Sequence, residues 1–442
     1  MSSVTLRRGK RAKKRSRPLP PEYNLMLTAT LCLLALGAVM VFSASSTTRV
    51  LQDGGLSDSA FYLKRTLLFG AVGLVIMHLV ARHGLQLVRE ATPLILGGSI
   101  FLLLAVLAAG TEVNGATRWL GGGFLQVQPS ELAKVALVLY AADLLARKPK
   151  RVRSIEGMMP LLLVVGASAL LIMLQPDMGT TMTIVFAIGA TMVAAGARPA
   201  DLGKIGLVIG GLALLMAVVE PYRMARLTAF LNPTADAAGA GFQAAQAKIA
   251  LGSGGILGEG IGNGVQKAFY LPEAHTDMIS AVIGEELGLI GILGVVGLFA
   301  MFGYAGLKTA QKAKDRYSKI LVAGLTSLVL VQAIINLFAV MGMAPLTGVP
   351  LPFVSYGNSS LMAMLFAVGL ILNVARGGSA KAARTSTPTG AGKLRVVQGG
   401  RAPARDGRSR ASGARKAKGS GGDGGNRGAR RTRHGGRRRA SG

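Results

Sequence analysis

Long apolar runs alternate with short polar connections along the chain from Leu25 to Ala375. Ten of these runs approach the ~20 residues that a helix needs to cross a hydrocarbon core ~30 Å thick. They occupy residues 25–44, 66–81, 92–109, 129–146, 159–175, 181–197, 203–220, 277–303, 320–343 and 359–375. This pattern predicts an all-α polytopic membrane protein with about ten transmembrane helices.

Cations between the runs predict how the helices are oriented. The connections after even-numbered spans are rich in Lys and Arg, with Arg82, Lys150, Arg198 and Lys312 as examples. Both termini are therefore expected in the cytoplasm, because Lys and Arg collect in the cytoplasmic loops of membrane proteins. The longest connection, residues 221–276 between spans seven and eight, is then expected to be a large extracytoplasmic loop.

The two ends of the chain differ from its body in composition. Residues 1–21 carry a net charge of +8 and residues 376–442 one of +17, out of a formal +30 for the chain. Neither end has enough large apolar side chains to offset the entropy of ordering. The predicted organisation is a disordered basic cytoplasmic arm (1–21), a transmembrane domain (22–375) and a disordered basic Gly/Arg-rich cytoplasmic tail (376–442). The expected contact of both ends is anionic lipid or a cytoplasmic partner, ahead of nucleic acid.

Ionisable side chains cluster on the predicted outer side. Lys134 lies about one turn inside the fourth span, where it needs a partner or a hydrated cavity, and Glu131 is the nearest partner. Glu131 also suits the positive end of this helix, and Arg118 before it suits an anchor at the membrane interface. Asp177, between spans five and six, is best interpreted as an N-cap of the sixth span.

The motif L-P-E-A-H-T-D places Glu273, His275 and Asp277 at the mouth of the eighth span. Asp277 suits either an N-cap of this span or a functional carboxylate, and the spacing alone favours neither. Glu285 and Glu286 follow about two turns deeper. Neighbouring helix positions point ~100° apart, so these two carboxylates are expected to face different surroundings.

Two segments have too much Gly or Pro to continue a helix. Residues 345–360, which include Ser355, are expected to wall a polar pocket, because irregular backbone at membrane depth is tolerated only when it is buried or lines a cavity. Residues 252–264 fit no nucleotide-binding glycine pattern and are expected to form close-packed or re-entrant backbone. His275 lacks a second His or Cys at metal spacing, so zinc is not expected and the choice of metal is left open.

Seven short motifs occur in a fixed order across the spans: N-G-A-T-R-W-L, Q-P-S-E-L-A-K, Q-P-D-M-G-T-T, G-S-G-G-I-L-G-E-G, L-P-E-A-H-T-D, I-G-E-E-L-G and P-L-P-F-V-S-Y-G. In this order, over residues 25–375, they resemble the SEDS family of cell-wall polymerases. The chain is more similar to the FtsW branch, which acts in division, than to the RodA branch, which acts in elongation. That preference rests on P-E-A-H-T-D, on residues 241–243 and on the long basic tail.

The resemblance implies a peptidoglycan glycosyltransferase that polymerises lipid II at the outer face of the bacterial cytoplasmic membrane, at the division septum. A sugar hydroxyl attacks an anomeric carbon in this reaction and inverts an α-linked pyrophosphate to a β-glycosidic bond. A hydroxyl is a weak nucleophile, and a general base is worth about 10²–10⁴ in rate. The family assigns that base to the Asp of H-T-D, which is Asp277 here.

The same resemblance suggests further roles at the site. The departing pyrophosphate needs cations, and Arg118 and Lys134 are the basic candidates on the same side. Glu131 and Asp177 would orient Lys134, bind a divalent cation or shape the cavity. The expected substrate-binding set is Arg118, Lys134, Glu131, Asp177, His275 and Ser355. A divalent cation is the one cofactor that this interpretation leaves open.

The family also implies partners, namely a class B penicillin-binding transpeptidase and other division proteins. Two alternatives fit ten spans and a polar cavity: a lipid II flippase, and a non-catalytic scaffold that recruits a transpeptidase. A flippase is expected to carry polar residues at both faces and along a route between them. In this chain they concentrate on the predicted outer side, which favours the polymerase.

Overall fold

The computed structural model describes residues 19–52, 59–113, 116–123, 126–219, 221–232 and 240–379. The predicted arm lies outside these ranges except for residues 19–21, and so does the predicted tail except for residues 376–379. The helices are α1 (Pro21–Gln52), α2 (Phe61–Ala109), α3 (Pro129–Arg147), α4 (Ile155–Met173), α5 (Met178–Ala195), α6 (Pro199–Val219), α7 (Pro221–Leu231), α8 (Ala240–Ser253), α9 (Gln266–Phe269), α10 (Ile279–Lys312), α11 (Arg316–Val340) and α12 (Asn358–Ala375).

The predicted helical membrane class is confirmed. Within the described part of the chain, seven helices are long and apolar enough to cross a membrane, namely α1 over Pro21–Ser46, α2, α4, α5, α10, α11 and α12. The predicted fourth span coincides with α3, which begins at Pro129 as the sequence suggests. The predicted seventh span coincides with α6.

The all-α prediction misses a small β-hairpin after α2. Strand β1 (Thr111–Val113) pairs antiparallel with β2 (Ala116–Trp119). Strands of three and four residues are too short to show a clear alternation of apolar and polar positions in the sequence.

The long predicted loop at 221–276 is also largely helical, since α7, α8 and α9 lie within it. These three helices are 11, 14 and 4 residues long, so none of them produces an apolar run of span length.

Helix α2 contains two predicted spans, and contacts near its ends show that it bends back on itself. Arg65 donates to the Gly123 carbonyl oxygen (3.2 Å), and the Leu103 carbonyl oxygen accepts from Gln175 (3.0 Å). Arg118 in turn donates to the Gln175 carbonyl oxygen (3.1 Å). The chain from Arg118 to Gly123, five residues, reaches at most about 17 Å. A straight helix from Arg65 to Leu103, 38 residues, would span about 57 Å. A straight α2 could not make these contacts.

The centre of the bundle is formed by α11 and α12. Of their most apolar segments, 78% and 83% of residues are buried, against 28% for α2, α4 and α10. The outer helices instead expose large apolar side chains, including Leu94 (79% exposed), Leu163 (65%) and Leu207 (79%). Such faces suit contact with lipid.

Helix α10 is interrupted at Gly288, where the backbone adopts φ 65° and ψ −161°. The glycine-rich segment packs into this break: the backbone amides of Glu259 and Gly260 donate to the carbonyl oxygens of Glu285 and Glu286, both at 3.0 Å. These bonds satisfy carbonyl groups that the interrupted helix leaves without partners. The prediction of close-packed backbone for this segment is confirmed.

Candidate functional site

Asp277 lies in the turn before α10, and α11 holds its backbone in place. The Asn336 side-chain amide donates to the carbonyl oxygens of Asp277 (2.7 Å) and Val349 (2.8 Å). Ser280 Oγ donates to Asn336 Oδ1 (2.8 Å) and fixes the orientation of that amide. The N-cap residue of α10 is Met278, which makes no capping bond through its side chain. The capping interpretation of Asp277 is therefore wrong.

The Asp277 carboxyl is partly buried, and its surroundings favour the protonated form. Burial raises its pKa from the ordinary 3.8 to about 6, and the nearby Glu273 carboxylate adds to this rise. The Arg226 guanidinium and a hydrogen bond from Thr276 Oγ1 to Oδ1 (3.3 Å) oppose the rise in pKa without cancelling it. A carboxyl group with a pKa near 6 is well matched to accepting a proton at neutral pH.

Arg226 reaches this region from α7. Its Nη1 donates to the Leu346 carbonyl oxygen (2.6 Å), in the connection between α11 and α12. A small pocket beside it is lined by both basic and apolar side chains. The lining residues are Arg226, Ala229, Phe230, Ala244, Lys248, Ala339, Gly342, Ala344 and Leu346. This pocket brings two cations, those of Arg226 and Lys248, to the same end of the bundle as Asp277.

His275 packs among aromatic rings. Its ring centroid lies 4.4 Å from that of Tyr62 on α2 and 5.5 Å from that of Tyr356. The His275 carbonyl oxygen also accepts from the Tyr356 backbone amide (2.9 Å). These contacts anchor the turn that carries Asp277 to α2 and to the segment before α12.

Lys134 is fully buried and paired, as its depth in the span requires. Its Nζ donates to Glu131 Oε1 (2.8 Å) and to Gln332 Oε1 (2.7 Å) on α11. The expectation that Glu131 is its partner is confirmed. Glu131 Oε2 is buried without a hydrogen-bond partner. The loss of hydration at this oxygen lowers the net stability that the ion pair contributes.

Gln332 connects this ion pair to the Asp277 turn. Gln332 and Asn336 are four residues apart and lie on the same face of α11. The Gln332 Nε2 atom donates to the Pro350 carbonyl oxygen (2.9 Å), next to Val349, which Asn336 contacts. A continuous polar network therefore runs from Lys134 through α11 to the backbone of Asp277.

Arg118 and Asp177 meet at the end of α4 and the start of α5. Arg118 donates to the carbonyl oxygens of Gln175 and Pro176. Asp177 caps α5 as predicted, since its Oδ1 accepts from the Thr180 amide (3.1 Å). Its Oδ2 accepts from Ser130 Oγ and from the Gln128 side-chain amide, both at 3.3 Å. Arg118 therefore holds the backbone after α4 in position, and Asp177 holds the start of α5.

Ser355 is buried in the irregular segment before α12, where its Oγ accepts from the Leu351 amide (2.8 Å). The segment itself is mostly buried against the bundle, as its composition suggests. Within the described ranges there is no group of three or more His, Cys, Asp or Glu side chains that could hold a metal ion.

Glu285 and Glu286 converge on one segment, so the prediction that they face different surroundings is wrong: a Cβ placed on Gly264 would lie 2.8 Å from Glu285 Oε2 and 3.2 Å from Glu286 Oε1. Both side chains reach residues 264–267 because this segment packs against α10 just before its break at Gly288. Glu285 Oε1 accepts from the amides of Val265 (2.7 Å) and Gln266 (3.0 Å) at the start of α9. Glu286 forms a buried ion pair with Lys267, and Ser43 Oγ on α1 donates to its Oε1 (2.7 Å). Both carboxylates thus tie the extracytoplasmic segment predicted from the sequence to the transmembrane helices.

Four residues that organise this region are absent from the sequence-based site: Arg226, Lys267, Gln332 and Asn336. The two amides were detectable in principle, because they lie four residues apart within an otherwise apolar run. Arg226 and Lys267 lie in a long polar connection, where the sequence gives no sign of which cations turn inward.

The fold and the site together define a helical membrane protein that presents a carboxyl group of raised pKa at one end of its bundle. Residues 23–379 match the family model for cell cycle proteins that covers FtsW, RodA and SpoVE. The chain belongs to this family, the SEDS proteins.

Individual relatives and solved structures agree with this assignment. The chain is 40% identical to stage V sporulation protein E of Bacillus subtilis, over 80% of the chain and 96% of that protein. It is also 40% identical to the probable peptidoglycan glycosyltransferase FtsW of Trichlorobacter lovleyi, over 80% and 94%.

Among solved structures, a chain of a peptidoglycan synthase complex that coordinates polymerisation and crosslinking is similar, with a TM-score of 0.64, 27% identity and coverage of 80% and 97%. RodA of Thermus thermophilus aligns with a TM-score of 0.59, 26% identity and coverage of 80% and 96%. The chain is accordingly a glycosyltransferase of cell-wall synthesis.

Proposed function

We propose that this protein polymerises lipid II into glycan strands at the outer face of the bacterial cytoplasmic membrane, with Asp277 as the general base. The observation that carries the proposal is the Asp277 carboxyl itself. Its backbone is fixed by Asn336, its pKa is raised to about 6, and it faces the segment before α12. A Cβ placed on Gly348 of that segment would lie 3.8 Å from Asp277 Oδ2.

The reaction that we propose is a single displacement with inversion. The Asp277 carboxylate accepts the proton of the attacking sugar hydroxyl while the hydroxyl oxygen forms a bond to the anomeric carbon. The bond from that carbon to the pyrophosphate breaks, and the pyrophosphate leaves with the electron pair. At neutral pH a base with a pKa near 6 is mostly ionised, so it is ready to accept this proton.

For the leaving pyrophosphate, we propose Arg226 and Lys248 ahead of Arg118 and Lys134. The Lys134 ammonium is enclosed between Glu131 and Gln332. Arg118 and Arg226 both donate to backbone carbonyl groups, so the choice between them rests on their position relative to Asp277. Arg226 acts electrostatically on Asp277 and lines a pocket together with Lys248. Cations placed where negative charge develops are worth most in sites that exclude water.

We also propose the ten-span topology with both termini in the cytoplasm. The bend of α2 supplies two crossings from one helix, and α3 and α6 add two to the seven apolar helices. The charged groups of α3 do not oppose a crossing, because Lys134 is paired with Glu131, and Asp143 is paired with Arg89 (3.0 Å).

The partner that we propose is a class B penicillin-binding transpeptidase, with a location at the division septum. Support comes from the similarity to a chain of a synthase complex that coordinates polymerisation with crosslinking, and from the relatives named FtsW. Glycan strands are cross-linked as they are made, so a polymerase and a transpeptidase benefit from a fixed association.

The decisive test of the function is a reconstituted reaction. The purified full chain and its transpeptidase are supplied with lipid II in vesicles, and glycan polymer and the leaflet distribution of lipid II are both measured. We expect polymer to form. Transfer of lipid II between leaflets without polymer would identify a flippase, and neither product would identify a scaffold, so either result would overturn the proposal.

A further inference from the structure

We propose that a cleft at the end of the bundle opposite Asp277 binds the phosphate headgroup of an anionic phospholipid. The cleft has a volume of about 800 Å³, which lies within the range of small-molecule sites. It is formed by the connections before α4, before α6 and before α11. The lining residues are Pro149, Lys150, Arg153, Ser154, Ala195, Gly196, Arg198 and Arg316.

The charge of the cleft is of one sign. Four of its eight lining residues are Lys or Arg, and none of these described lining residues is Asp or Glu. Three carboxylates lie within three residues of the lining: Glu156 and Asp201, in the first turns of α4 and α6, and Asp315. Asp315 caps α11, since its two oxygens accept from the Ser318 amide (2.9 Å) and Ser318 Oγ (2.7 Å). The lining itself carries four cations and no carboxylate, and a phosphate group would complement them.

Helix ends of both signs lie at the cleft, and the positive ends are more numerous. Three long helices, α4, α6 and α11, begin at the cleft, so the positive ends of their dipoles lie there. Two helices end there and contribute the opposite sign: α3 ends at Arg147, two residues before Pro149, and α5 ends at Ala195. Arg316 Nη2 donates to the Ala195 carbonyl oxygen of that last turn (2.8 Å). This bond both satisfies a terminal carbonyl of α5 and holds Arg316 at the cleft.

Apolar side chains beside the cleft favour a lipid over a soluble phosphate. Val193, one turn before Gly196 on α5, is 61% exposed. On α4, Met159 is 43% exposed and Leu163 is 65% exposed, about one and a half and two and a half turns beyond Ser154. A headgroup in the cleft would leave its acyl chains against these surfaces, which no described part of the chain covers. The charge pattern predicts this end of the bundle to be cytoplasmic, where anionic headgroups are available.

Native mass spectrometry of the full chain tests the proposal. The protein is titrated in mixed detergent micelles with phosphatidylglycerol or with phosphatidylcholine, and separately with inorganic phosphate and with a short polyglutamate peptide. We expect phosphatidylglycerol to be retained in preference to the other three. The double variant Arg153→Gln/Arg198→Gln is expected to weaken its retention roughly tenfold or more.

A matched variant controls for overall charge, including that of the basic ends. Lys204→Gln/Lys319→Gln removes two exposed cations outside the cleft, and its retention of phosphatidylglycerol should stay within about twofold of the parent. Equal losses in the two double variants would overturn the proposal. Saturation by inorganic phosphate alone would also overturn it in favour of a soluble anion, and preferential binding of polyglutamate would do so in favour of an acidic protein partner. These measurements do not depend on glycan synthesis. A negative result for lipid binding would therefore leave the proposed function untouched, and a failure of the proposed function would leave the lipid site untouched.

Discussion

At the scale of single residues, the surroundings of each carboxylate decide what it does. Asp177 and Asp277 both precede apolar helices, and both suit an N-cap in the sequence. Asp177 accepts the Thr180 amide and two side-chain donors, and so stabilises a helix start. Asp277 is held through its carbonyl oxygen by Asn336, and its carboxyl caps no helix but accepts from Thr276 Oγ1.

The pH dependence of polymerisation should report the charges around Asp277. The value of kcat/KM is expected to rise with pH through about 6, as the base becomes ionised. Glu273→Gln removes a charge that raises the Asp277 pKa, so the midpoint should move to lower pH. Arg226→Gln removes a charge that lowers this pKa, so the midpoint should move to higher pH.

The matched control for these shifts is Glu156→Gln, an exposed carboxylate in the first turn of α4 at the opposite end of the bundle. Its profile should coincide with that of the parent. Shifts of the same sign in Glu273→Gln and Arg226→Gln would contradict the electrostatic account of Asp277.

At the scale of elements, the break in α10 is fixed by close packing of residues 256–258 against Gly288. A Cβ on Gly288 would lie against Gly258 N and Ile256 O, closer than van der Waals contact. Its positive φ with extended ψ is a region that glycine alone adopts readily. The sequence I-G-E-E-L-G gives no sign of this break, because a single Gly within an apolar run is tolerated in a helix.

Gly288→Ala should therefore destabilise the protein, by about 2–4 kcal/mol from steric overlap and backbone strain. Gly294→Ala is the matched control in the same helix, because a Cβ there meets nothing within 4 Å. It should be neutral or slightly stabilising, since Ala favours helix over Gly. Thermal unfolding in detergent micelles measures both, and equal unfolding temperatures in the two variants would show that α10 tolerates a side chain at the break.

Lys134 is paired with Glu131 within α3 and contacts α11 through its hydrogen bond to Gln332. Lys134→Met should cost about 3–5 kcal/mol, because it leaves Glu131 charged and unpaired in the interior. Replacing both partners, as Glu131→Gln/Lys134→Met, should restore at least half of the lost stability. Lys319→Met on the exposed face of α11 serves as a control, within about 0.5 kcal/mol of the parent. A double variant no more stable than Lys134→Met would show that pairing is not the cause.

The helices and their contacts differ in how well the sequence alone predicts them. Apolar runs predict the spans, often to within a few residues at each end, because span length and hydropathy are local properties. The pairing of Lys134 with Glu131 is predictable for the same reason, since the partners are three residues apart. Gln332 and Arg226 come from distant parts of the chain, and only the packing of α11 and α7 brings them to the site.

At the scale of the whole molecule, the two ends of the bundle have different chemistry. One end presents Asp277, a pocket with Arg226 and Lys248, and the polar network through α11. The other presents a basic cleft with apolar flanks. The charge pattern of the sequence predicts this asymmetry. The sequence also predicts two spans within α2 and close-packed backbone at residues 252–264. It does not predict that one continuous helix carries both spans, or that residues 252–264 pack into a break in α10, because both depend on contacts across the bundle.

A folding control for the central test follows from the Asp277 pKa. That pKa is raised in the folded protein, so the stability that protonated Asp277 contributes is complete below pH 3.8 and is lost as pH rises through about 6. Asp277→Asn replaces the carboxyl with a neutral group of the same shape and keeps the backbone bond to Asn336. At pH 7.5 its unfolding temperature should equal or exceed that of the parent.

The most direct test of the proposed role of Asp277 is polymerisation of lipid II by Asp277→Asn, purified in its folded form with the transpeptidase bound. We expect a loss of at least about a hundredfold in the rate of glycan synthesis, the size that removal of a general base produces. Polymerisation at the parent rate by the folded variant would contradict this role.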